Sequence, residues 1–463
     1  TPLHLVLMAD MQRPIVLTSG NRSEEPQVTE NGEALERLSE IADLWLMNDR
    51  DIVNRLDDSV VRISAGARRT IRRARGIAPA PMILPEGFSA APRVLAMGGA
   101  LKNTFCLLGD GKAIVSQHMG DMENPRAHAD YRRNMKLYRD INGFEADIIA
   151  LDMHPDYIPS QWGRKLAEEA NIPVVPVQHH HAHVAAVMAE HGLEKDTSPV
   201  FGIVFDGLGY GPDGDLWGGE FLIVDYAHFR RVAHFAPVPL IGGEKAMVQP
   251  WRNAFAHINA AIGWEIAAKN FKNLSLLRQF EEKPLAQVKQ MLKRGLNVPP
   301  ASSAGRLFDG VAAALGICFD QLSFEGEAAI GLENLALQCQ DDVGGYRVAA
   351  DDEISWKKLW QGILGDLDHG VSREVIARRF HNTVIQVTVH LAEKLQRTEG
   401  FSQVVLSGGV FQNNILLSEI SRQLGERGME VLSPMAFPAN DGGLSLGQAA
   451  VAAARHINME RPE

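Results

Sequence analysis

The chain repeats one pattern at two distant places, and this repeat constrains the fold more than any other feature. Residues 94–117 alternate apolar stretches with glycine turns, which predicts three strands joined in an antiparallel meander. Residues 200–224 open in the same way, with an apolar strand, a glycine-rich turn and a resumed strand. A long predicted helix at 373–398 then leads into another strand and Gly408-Gly409. Two halves opened by hairpins predict a duplicated α/β fold with a nucleotide cleft between two lobes.

Length and composition indicate a multidomain globular protein. A chain of 463 residues exceeds what one hydrophobic core usually organises, so two or three domains are expected. Apolar residues make up 45% and charged residues 22%, and no apolar run is long enough to cross a bilayer, which predicts no membrane association and a cytoplasmic location. The net charge of -11 argues against broad nucleic-acid binding. Cys106, Cys318 and Cys339 are widely spaced without a CxxC pair, so we expect neither disulfides nor a zinc ribbon.

Proline and glycine clusters divide the chain into two predicted units. Residues 1–83 form the first, residues 84–92 a linker, and residues 93–463 the second, with lobes at about 93–199 and 200–463.

Local patterns in the first unit predict a buried strand at 15–17 and a helix at 33–47. Thr1 already lies inside a patterned segment, and we interpret this beginning as a cut in a longer protein. The arginines within 68–75 are interpreted as a solvated or lobe-bridging surface. Nucleic-acid binding by this cluster is a weaker alternative, because no stacking aromatic residues are interleaved with it.

Four histidines fall within five positions at 179–183, at the start of a predicted helix. His179 and His183 are four residues apart, so on a helix both rings project from one face and suit two nitrogen ligands of a single metal ion. Histidines that merely cap or pack the helix are the alternative. A third ligand has to come from elsewhere, and Asp441 offers a carboxylate, although its Asn-Asp-Gly-Gly context alone reads as an ordinary turn.

Three glycine-rich turns that follow apolar strands suggest an ATP site. They are Gly98-Gly99, the segment from Asp206 to Gly209, and Gly408-Gly409. Backbone amides without side-chain bulk can hold phosphate, and the helix that follows Asn413 adds a positive N-terminus. Each turn alone is weak evidence, since most such glycines only turn the chain. A GxxxxGK[ST] loop is missing from the sequence, which argues against a P-loop enzyme.

A polar loop at 18–26 offers a further candidate for nucleotide binding. Its hydroxyl, amide and guanidinium groups, on Ser19, Asn21 and Arg22, together with Arg55 further on, are suited to phosphate. A polar surface turn is an equally good reading of these residues.

Together these segments resemble the HypF family of hydrogenase maturation carbamoyltransferases. Matching strings run in order along nearly the whole chain, among them LTSGNRSEEP (17–26), RLDDSVVR (55–62), VQHHHAH (177–183), LSGGVFQNN (406–414) and PANDGG (438–443). The resemblance implies an α/β protein in which a truncated YrdC-like domain precedes a two-lobed, ATPase-type domain of the actin and Hsp70 (ASKHA) fold. The acylphosphatase domain, the paired zinc fingers and the first half of the YrdC-like domain of the family have no counterpart in this sequence.

The resemblance also implies roles for individual residues. His179, His183 and Asp441 match a metal motif that holds iron or zinc. The positions that hold the nucleotide, ATP with Mg²⁺, are matched by Asp206, Gly207, Gly209, Gly408, Gly409 and Asn413. Lys102 and Asn103 lie on the first hairpin, where a contact with phosphate or carbamoyl is expected, and with Asp206 they are the expected catalytic residues.

In the reaction implied by the family, the acylphosphatase domain hydrolyses carbamoyl phosphate, and the YrdC-like domain uses ATP to make carbamoyl-adenylate. The ASKHA domain then passes the carbamoyl group to the C-terminal cysteine thiolate of the protein HypE, which leads to a cyanide ligand of the nickel–iron site. HypE is therefore the expected partner, and the HypC–HypD complex and a second copy of the chain are further candidates.

Three other functions stay open. The chain is alternatively an O-carbamoyltransferase that acts on a small molecule, or a nucleotide-binding scaffold of the maturation complex. The related enzyme that makes threonylcarbamoyl-adenosine in tRNA is a third alternative, which the acidic balance and the YrdC-like segment argue against.

Overall fold

The computed structural model describes residues 2–22 and 25–460. The first part of the chain contains two short helices and one antiparallel hairpin: α1 (Pro2–Met8), α2 (Asn31–Arg37), β1 (Val60–Ser64) and β2 (Ala67–Arg72). The predicted strand at 15–17 is wrong, because these residues are irregular and Val16 is 90% exposed. The predicted helix at 33–47 is also wrong in extent, since α2 ends at Arg37.

The next part of the chain forms a six-stranded sheet with the order β3-β6-β5-β4-β7-β8. Its strands are β3 (Met82–Ile83), β4 (Val94–Ala96), β5 (Cys106–Gly109), β6 (Lys112–Val115), β7 (Ile148–Asp152) and β8 (Val174–Val177). The meander β4-β5-β6 is antiparallel, as predicted, whereas β7 and β8 continue the sheet in parallel. Its helices are α3 (Pro125–Asn142), α4 (Ile158–Ala170) and α5 (His179–Glu190). The segment predicted as a linker is packed, with Leu84 and Phe88 buried.

The remaining strands form an eight-stranded sheet with the order β12-β13-β10-β9-β15-β16, in which β11 pairs with β10 and with β14. They are β9 (Val200–Tyr210), β10 (Leu216–Val224), β11 (Phe229–Phe235), β12 (Val238–Pro239), β13 (Pro300–Ala301), β14 (Glu353–Ile354), β15 (Gln403–Ser407) and β16 (Glu430–Leu432).

The two sheets share one topology. The strands β6-β5-β4-β7-β8 of the first sheet correspond to β11-β10-β9-β15-β16 of the second, and in both sets two antiparallel pairings are followed by two parallel ones. The predicted duplicated, two-lobed α/β fold is therefore confirmed.

The second half also contains the helices α6 to α16. They are α6 (Glu244–Val248), α7 (Pro250–Ile262), α8 (Trp264–Asn270), α9 (Ser275–Glu281), α10 (Leu285–Arg294), α11 (Ala304–Ala314), α12 (Glu327–Leu337), α13 (Lys357–Asp368), α14 (Arg373–Glu399), α15 (Asn414–Gly425) and α16 (Leu444–Glu460). The long helix predicted at 373–398 is thus confirmed as α14. Within the described part of the chain, no helix is both long and apolar enough to span a bilayer.

Helices α5 and α16 lie between the two sheets and pack against each other. Helix α16 contacts β4, β5 and β7 of the first sheet, whereas α5 contacts β9 and β15 of the second. The two helices are closest at Gly447, where a methyl group would lie only 1.8 Å from the carbonyl oxygen of Ala182. Only glycine permits this approach, and it places the histidine-bearing end of α5 at the junction of the two halves.

Candidate metal and nucleotide site

The histidine pair lies at the N-terminus of α5, where β8 ends. The Gln178 side chain caps the helix by accepting the N–H of His181 over 2.9 Å. The rings of His179 and His183 lie on one face with centroids 5.0 Å apart, as predicted, and both side chains are buried. The other two histidines point elsewhere: His181 Nε2 bonds to a backbone carbonyl, and His180 Nδ1 bonds to the capping Gln178.

Four potential ligand atoms converge beside α5. Asp206 Oδ2 lies 3.3 Å from His179 Nε2 and 3.1 Å from His183 Nε2. Asp441 Oδ1 lies 3.6 and 3.7 Å from the same two nitrogen atoms. Four ligands at about 2.0–2.2 Å from a tetrahedral zinc ion would be about 3.3–3.6 Å apart, which is close to these four nitrogen–oxygen distances. All four ligand atoms lie within 4.8 Å of one another, so the set is compact enough to close around such an ion. Two neutral imidazoles and two carboxylates also match the charge of a divalent cation.

The structure therefore brings Asp441 to the histidines, as the sequence predicted, and adds Asp206, which the sequence placed with the nucleotide and the catalytic residues. The signal for Asp206 was its position at the end of an apolar strand before glycine. Its approach to the histidines could not be foreseen, because Asp206 lies within β9, which meets α5 only in the folded chain.

Two further contacts fix the orientation of these ligands. Asp152, at the end of β7, is fully buried, and its Oδ2 lies 2.8 Å from His179 Nδ1. This contact leaves His179 Nε2 free to face the cluster, an arrangement common around protein metal ions. On the opposite side, Asp206 Oδ1 accepts the N–H groups of Gly207 over 2.8 Å and of Gly409 over 3.1 Å, so that Oδ2 is turned to the histidines. Asp152 was not singled out from the sequence, where it is one more acid after an apolar strand.

The four groups form a buried network of opposite charges. Burial alone lowers the pKa of His179, but Asp441 and Asp152 outweigh it and raise that pKa well above its ordinary value. The pKa of His183 is raised in the same way, against its burial, by Asp206 and Asp441. Burial favours the neutral carboxyl groups, yet the two imidazoles hold the pKa of Asp206 and of Asp441 below the usual range. With both imidazoles protonated, the charges of the two carboxylates are balanced, so a cation that binds here must displace protons from the histidines.

The glycines predicted to hold the nucleotide border this cluster. The turn predicted at 206–209 is wrong, because these residues lie within β9 and continue its pairing with β10. Gly408 has φ of 97° and approaches the carbonyl oxygen of Phe205 so closely that a methyl group would lie 2.3 Å from it. A methyl group at Gly209 would lie 2.6 Å from the His180 ring. The amides of Gly207 and Gly409 are directed at Asp206, so in this structure they position the carboxylate. Phosphate binding by these glycines stays a prediction.

Asn413 is the N-cap residue of α15, the helix that follows Gly408 and Gly409. Its Oδ1 accepts the N–H of Leu416 over 3.1 Å and caps α15, while its Nδ2 contacts His381 Nε2 at 3.0 Å. The helix N-terminus predicted here is thus confirmed, and the role of Asn413 in nucleotide binding stays a prediction.

The predicted catalytic residues Lys102 and Asn103 flank the first glycine turn. The Asn103 side chain is buried and donates to the carbonyl of Met97 over 3.1 Å and to that of Gly99 over 2.5 Å, which supports the turn from inside. A methyl group at Gly99 would lie 2.9 Å from Asp441 Oδ2, so this turn lies beside the metal candidates.

Lys102 reaches from the first half to the second. Its ammonium group pairs with Glu325, in the loop before α12. Burial lowers the pKa of Lys102, but Glu325 and Asp441 together outweigh the burial and raise it, so the side chain remains a cation next to the cluster.

The described part of the predicted phosphate-binding loop of the first unit is partly exposed, and its side chains bond within the loop and to Glu40. Asn21 Nδ2 donates to the carbonyl of Arg22, the Ser19 hydroxyl donates to Asn21 Oδ1, and Arg22 pairs with Glu40 at 3.0 Å. Ser23 and Glu24 of this loop, like Thr1, lie outside the described residues. The structure does not bring the side chains of Ser19, Asn21 and Arg22 to the histidine cluster.

Arg55 instead joins the first unit to the first sheet. It pairs with Asp130 on α3 at 3.0 Å, and the neighbouring Asn54 accepts a hydrogen bond from Gln117 over 3.0 Å. One guanidinium nitrogen of Arg55 is buried without a partner among the described residues. Nucleotide binding by Ser19, Asn21, Arg22 and Arg55 stays a prediction.

Comparison with known proteins identifies the family. Residues 89–190 match a model described as the HypF Kae1-like domain, and residues 202–448, more than half of the chain, match the second subdomain of the carbamoyltransferase Kae1-like domain. The chain belongs to the HypF carbamoyltransferase family. Residues 1–74 also match a model of the Sua5, YciO and YrdC proteins, described as telomere recombination. The HypF assignment thus agrees with the resemblance seen in the sequence.

Individual relatives support the same assignment. The chain is 41% identical to carbamoyltransferase HypF of Rhodobacter capsulatus over 463 residues, which covers 98% of the chain and 59% of that relative. A HypF homolog of Cupriavidus necator is 37% identical over 80% of the chain and 93% of its own length. A crystal structure of full-length HypF in the phosphate- and nucleotide-bound form aligns with a TM-score of 0.87 and 40% identity, covering 98% of the chain and 69% of that structure. The chain thus spans little more than half of the Rhodobacter relative.

Proposed function

We propose that this chain transfers a carbamoyl group from carbamoyl-adenylate to a cysteine thiolate of an acceptor protein, HypE, in hydrogenase maturation. The observation that carries the proposal is the cluster of the buried His179, His183 and Asp206 with the partly buried Asp441, which lies beside glycine segments in a HypF-type fold. A divalent ion held there, zinc or iron, would supply Lewis acidity toward carbamoyl or phosphate oxygen atoms.

The residues of the chain support the individual steps. Carbamoyl-adenylate is a mixed anhydride, so attack by thiolate on its carbonyl carbon forms a C–S bond and releases AMP when the C–O bond breaks. Lys102 lies beside Asp441 and would stabilise the negative charge that develops on the departing phosphate. The ion pair between Lys102 and Glu325 would have to break before Lys102 could contact the phosphate. The nucleotide-bound HypF relative supports nucleotide binding by this chain. We propose that the nucleotide is ATP, with Mg²⁺, and that it is used to make the adenylate.

Mass spectrometry of the acceptor tests the proposal. HypE is incubated with this chain and supplied carbamoyl-adenylate, and its C-terminal cysteine is examined for a carbamoyl adduct. We expect the adduct with the wild type and with His390→Ala, an exposed histidine on α14, but not with His183→Ala. An adduct formed only by an N-terminally extended protein would mean that transfer needs the additional segments. If the extended protein also fails, the acceptor is wrong, and small-molecule alcohols become the substrates to test.

A further inference from the structure

The hairpin β1–β2, which belongs to the first unit, contacts the turn that borders the candidate site. The Ser64 hydroxyl donates to Asn414 Oδ1 over 2.7 Å, and the Ala65 N–H donates to the same oxygen over 2.9 Å. Arg62 adds a hydrogen bond to the carbonyl of Gln412 over 3.2 Å. Asn414 is the first residue of α15, so the hairpin holds the end of the segment Gly408–Asn414 from outside.

The second strand of the hairpin contacts the segment that leads to Asp441. The Thr70 N–H donates to the carbonyl of Met435 over 2.8 Å, and the Arg69 guanidinium donates to the carbonyl of Pro434 over 2.5 Å. Asn440, next to Asp441, donates from its side chain to the carbonyl of Ile71 over 3.3 Å. Three successive residues of β2 therefore form hydrogen bonds with the segment that directly precedes Asp441.

Helix α5 holds the same segment from the other side. Glu190, at its C-terminus, accepts the N–H of Met435 over 3.0 Å, and His191 Nε2 contacts the carbonyl of Ser433 at 2.9 Å. The other end of α5 carries His179 and His183. The backbone before Asp441 thus lies between the histidine helix and the hairpin.

The hairpin is itself firmly anchored. The Arg73 guanidinium, directly after β2, is buried and donates to the carbonyls of Val115 over 2.8 Å and Ala80 over 2.9 Å. It also lies 4.9 Å from the centre of the Phe437 ring. Arg73 therefore connects the hairpin both to the first sheet and to the segment before Asp441.

We propose that the hairpin β1–β2 is a positioning element for the metal and nucleotide site, which sets Asp441 and the turn Gly408–Asn414 in place relative to His179 and His183. The inference rests on the proposed function in that it requires the cluster to bind a metal. Metal sites tolerate displacements of only about 0.2 Å in ligand distance, so loosening a neighbouring backbone segment is enough to weaken binding. The hairpin of the first unit would then affect metal and nucleotide binding without contacting the substrate.

Two adjacent arginines on β2 provide a matched test. Arg69→Met removes the bond to Pro434, whereas Arg68→Met removes the same charge from the exposed face of the same strand. Affinity for Zn²⁺ is measured by competition with a chelator, affinity for ATP by calorimetry, and amide exchange of residues 433–441 by mass spectrometry. We expect Arg69→Met to weaken Zn²⁺ binding about tenfold and to accelerate this exchange, and Arg68→Met to match the wild type.

Ser64→Ala removes a single hydroxyl group and tests the contact between the hairpin and Asn414 with little risk to folding. We expect it to weaken ATP binding about fivefold, with recovery in Ser64→Thr, which retains the hydroxyl. Zn²⁺ and ATP affinities unchanged in both Arg69→Met and Ser64→Ala would overturn the inference while leaving the proposed function intact. A wild-type chain that binds neither probe would contradict the proposed function itself, and the inference with it.

Discussion

Replacement of Gly447 by alanine tests whether the contact between α5 and α16 sets the metal site. A methyl group at this position would lie 1.8 Å from the carbonyl oxygen of Ala182, and real contacts of this kind do not fall below 3.0 Å. The helices must therefore separate by at least about 1.2 Å, the difference between these two distances. Ala182 lies between His179 and His183, so the displacement reaches both rings.

The expected effect is larger on metal binding than on folding. Overpacking of this kind costs about 1–3 kcal/mol of unfolding free energy, which a protein of this size can absorb. A ligand shift near 1 Å, by contrast, is several times the tolerance of a metal site, so Zn²⁺ affinity should fall about 100-fold or more. Chelator competition measures the affinity, and thermal unfolding of the metal-free protein measures the stability.

Gly365 in α13 provides the control, because a methyl group there would meet nothing within 4 Å. Gly365→Ala should leave Zn²⁺ affinity unchanged and raise the unfolding free energy by up to about 1 kcal/mol, since alanine is the better helix former. If Gly447→Ala binds Zn²⁺ as tightly as the wild type, the close helix contact does not position the histidines and the reasoning fails.

Three further predictions concern titratable groups. Asp152→Asn should lower Zn²⁺ affinity about 10- to 100-fold by removing the carboxylate from His179, whereas the exposed Asp156→Asn should not; equal affinities would contradict the role given to Asp152. Because the metal-free imidazoles have a raised pKa, binding must displace protons, so Zn²⁺ affinity should fall as the pH drops from 8 to 6; calorimetry in buffers of different ionisation heat counts the protons released. Burial lowers the pKa of His257 to about 3, below its unfolded value of about 6.5, so the stability from this group is present above pH 6.5 and lost on acidification. The unfolding free energy of His257→Leu, from urea titrations, should therefore fall less between pH 6.5 and 5.5 than that of the wild type, by up to about 1.4 kcal/mol.

Features set by short-range periodicity could be predicted from the sequence. The shared face of His179 and His183 depends only on four-residue spacing in a helix, and the meander β4-β5-β6 on short apolar strands joined by tight turns. Asp441 was a candidate because carboxylates complete histidine metal sites, and the fold brings it to the pair.

Features that depend on tertiary contact could not be predicted in this way. Asp206, within β9, and Asp152, at the end of β7, become partners of the histidines only because both residues meet the N-terminal part of α5 in the folded chain. The apolar run at 15–17 has strand propensity, but a strand needs a hydrogen-bonded neighbour, and the structure pairs these residues with none among those described. The pattern at 33–47 likewise lacks a partner surface, as the 89% exposure of Leu44 shows, and short helices are marginal without one.

Since the two halves share one strand order, two of the candidate metal ligands, His179 and Asp441, come from corresponding places in a duplicated architecture. His179 begins the helix that follows the last strand of one half, and Asp441 directly precedes the matching helix of the other. Neither half carries the whole set, so the candidate site exists only where the two halves meet. The matching helices differ in sequence: α5 carries the histidines, whereas α16 carries Gly447 and alanines. A single ion bound there would therefore be held unequally by two copies of one architecture.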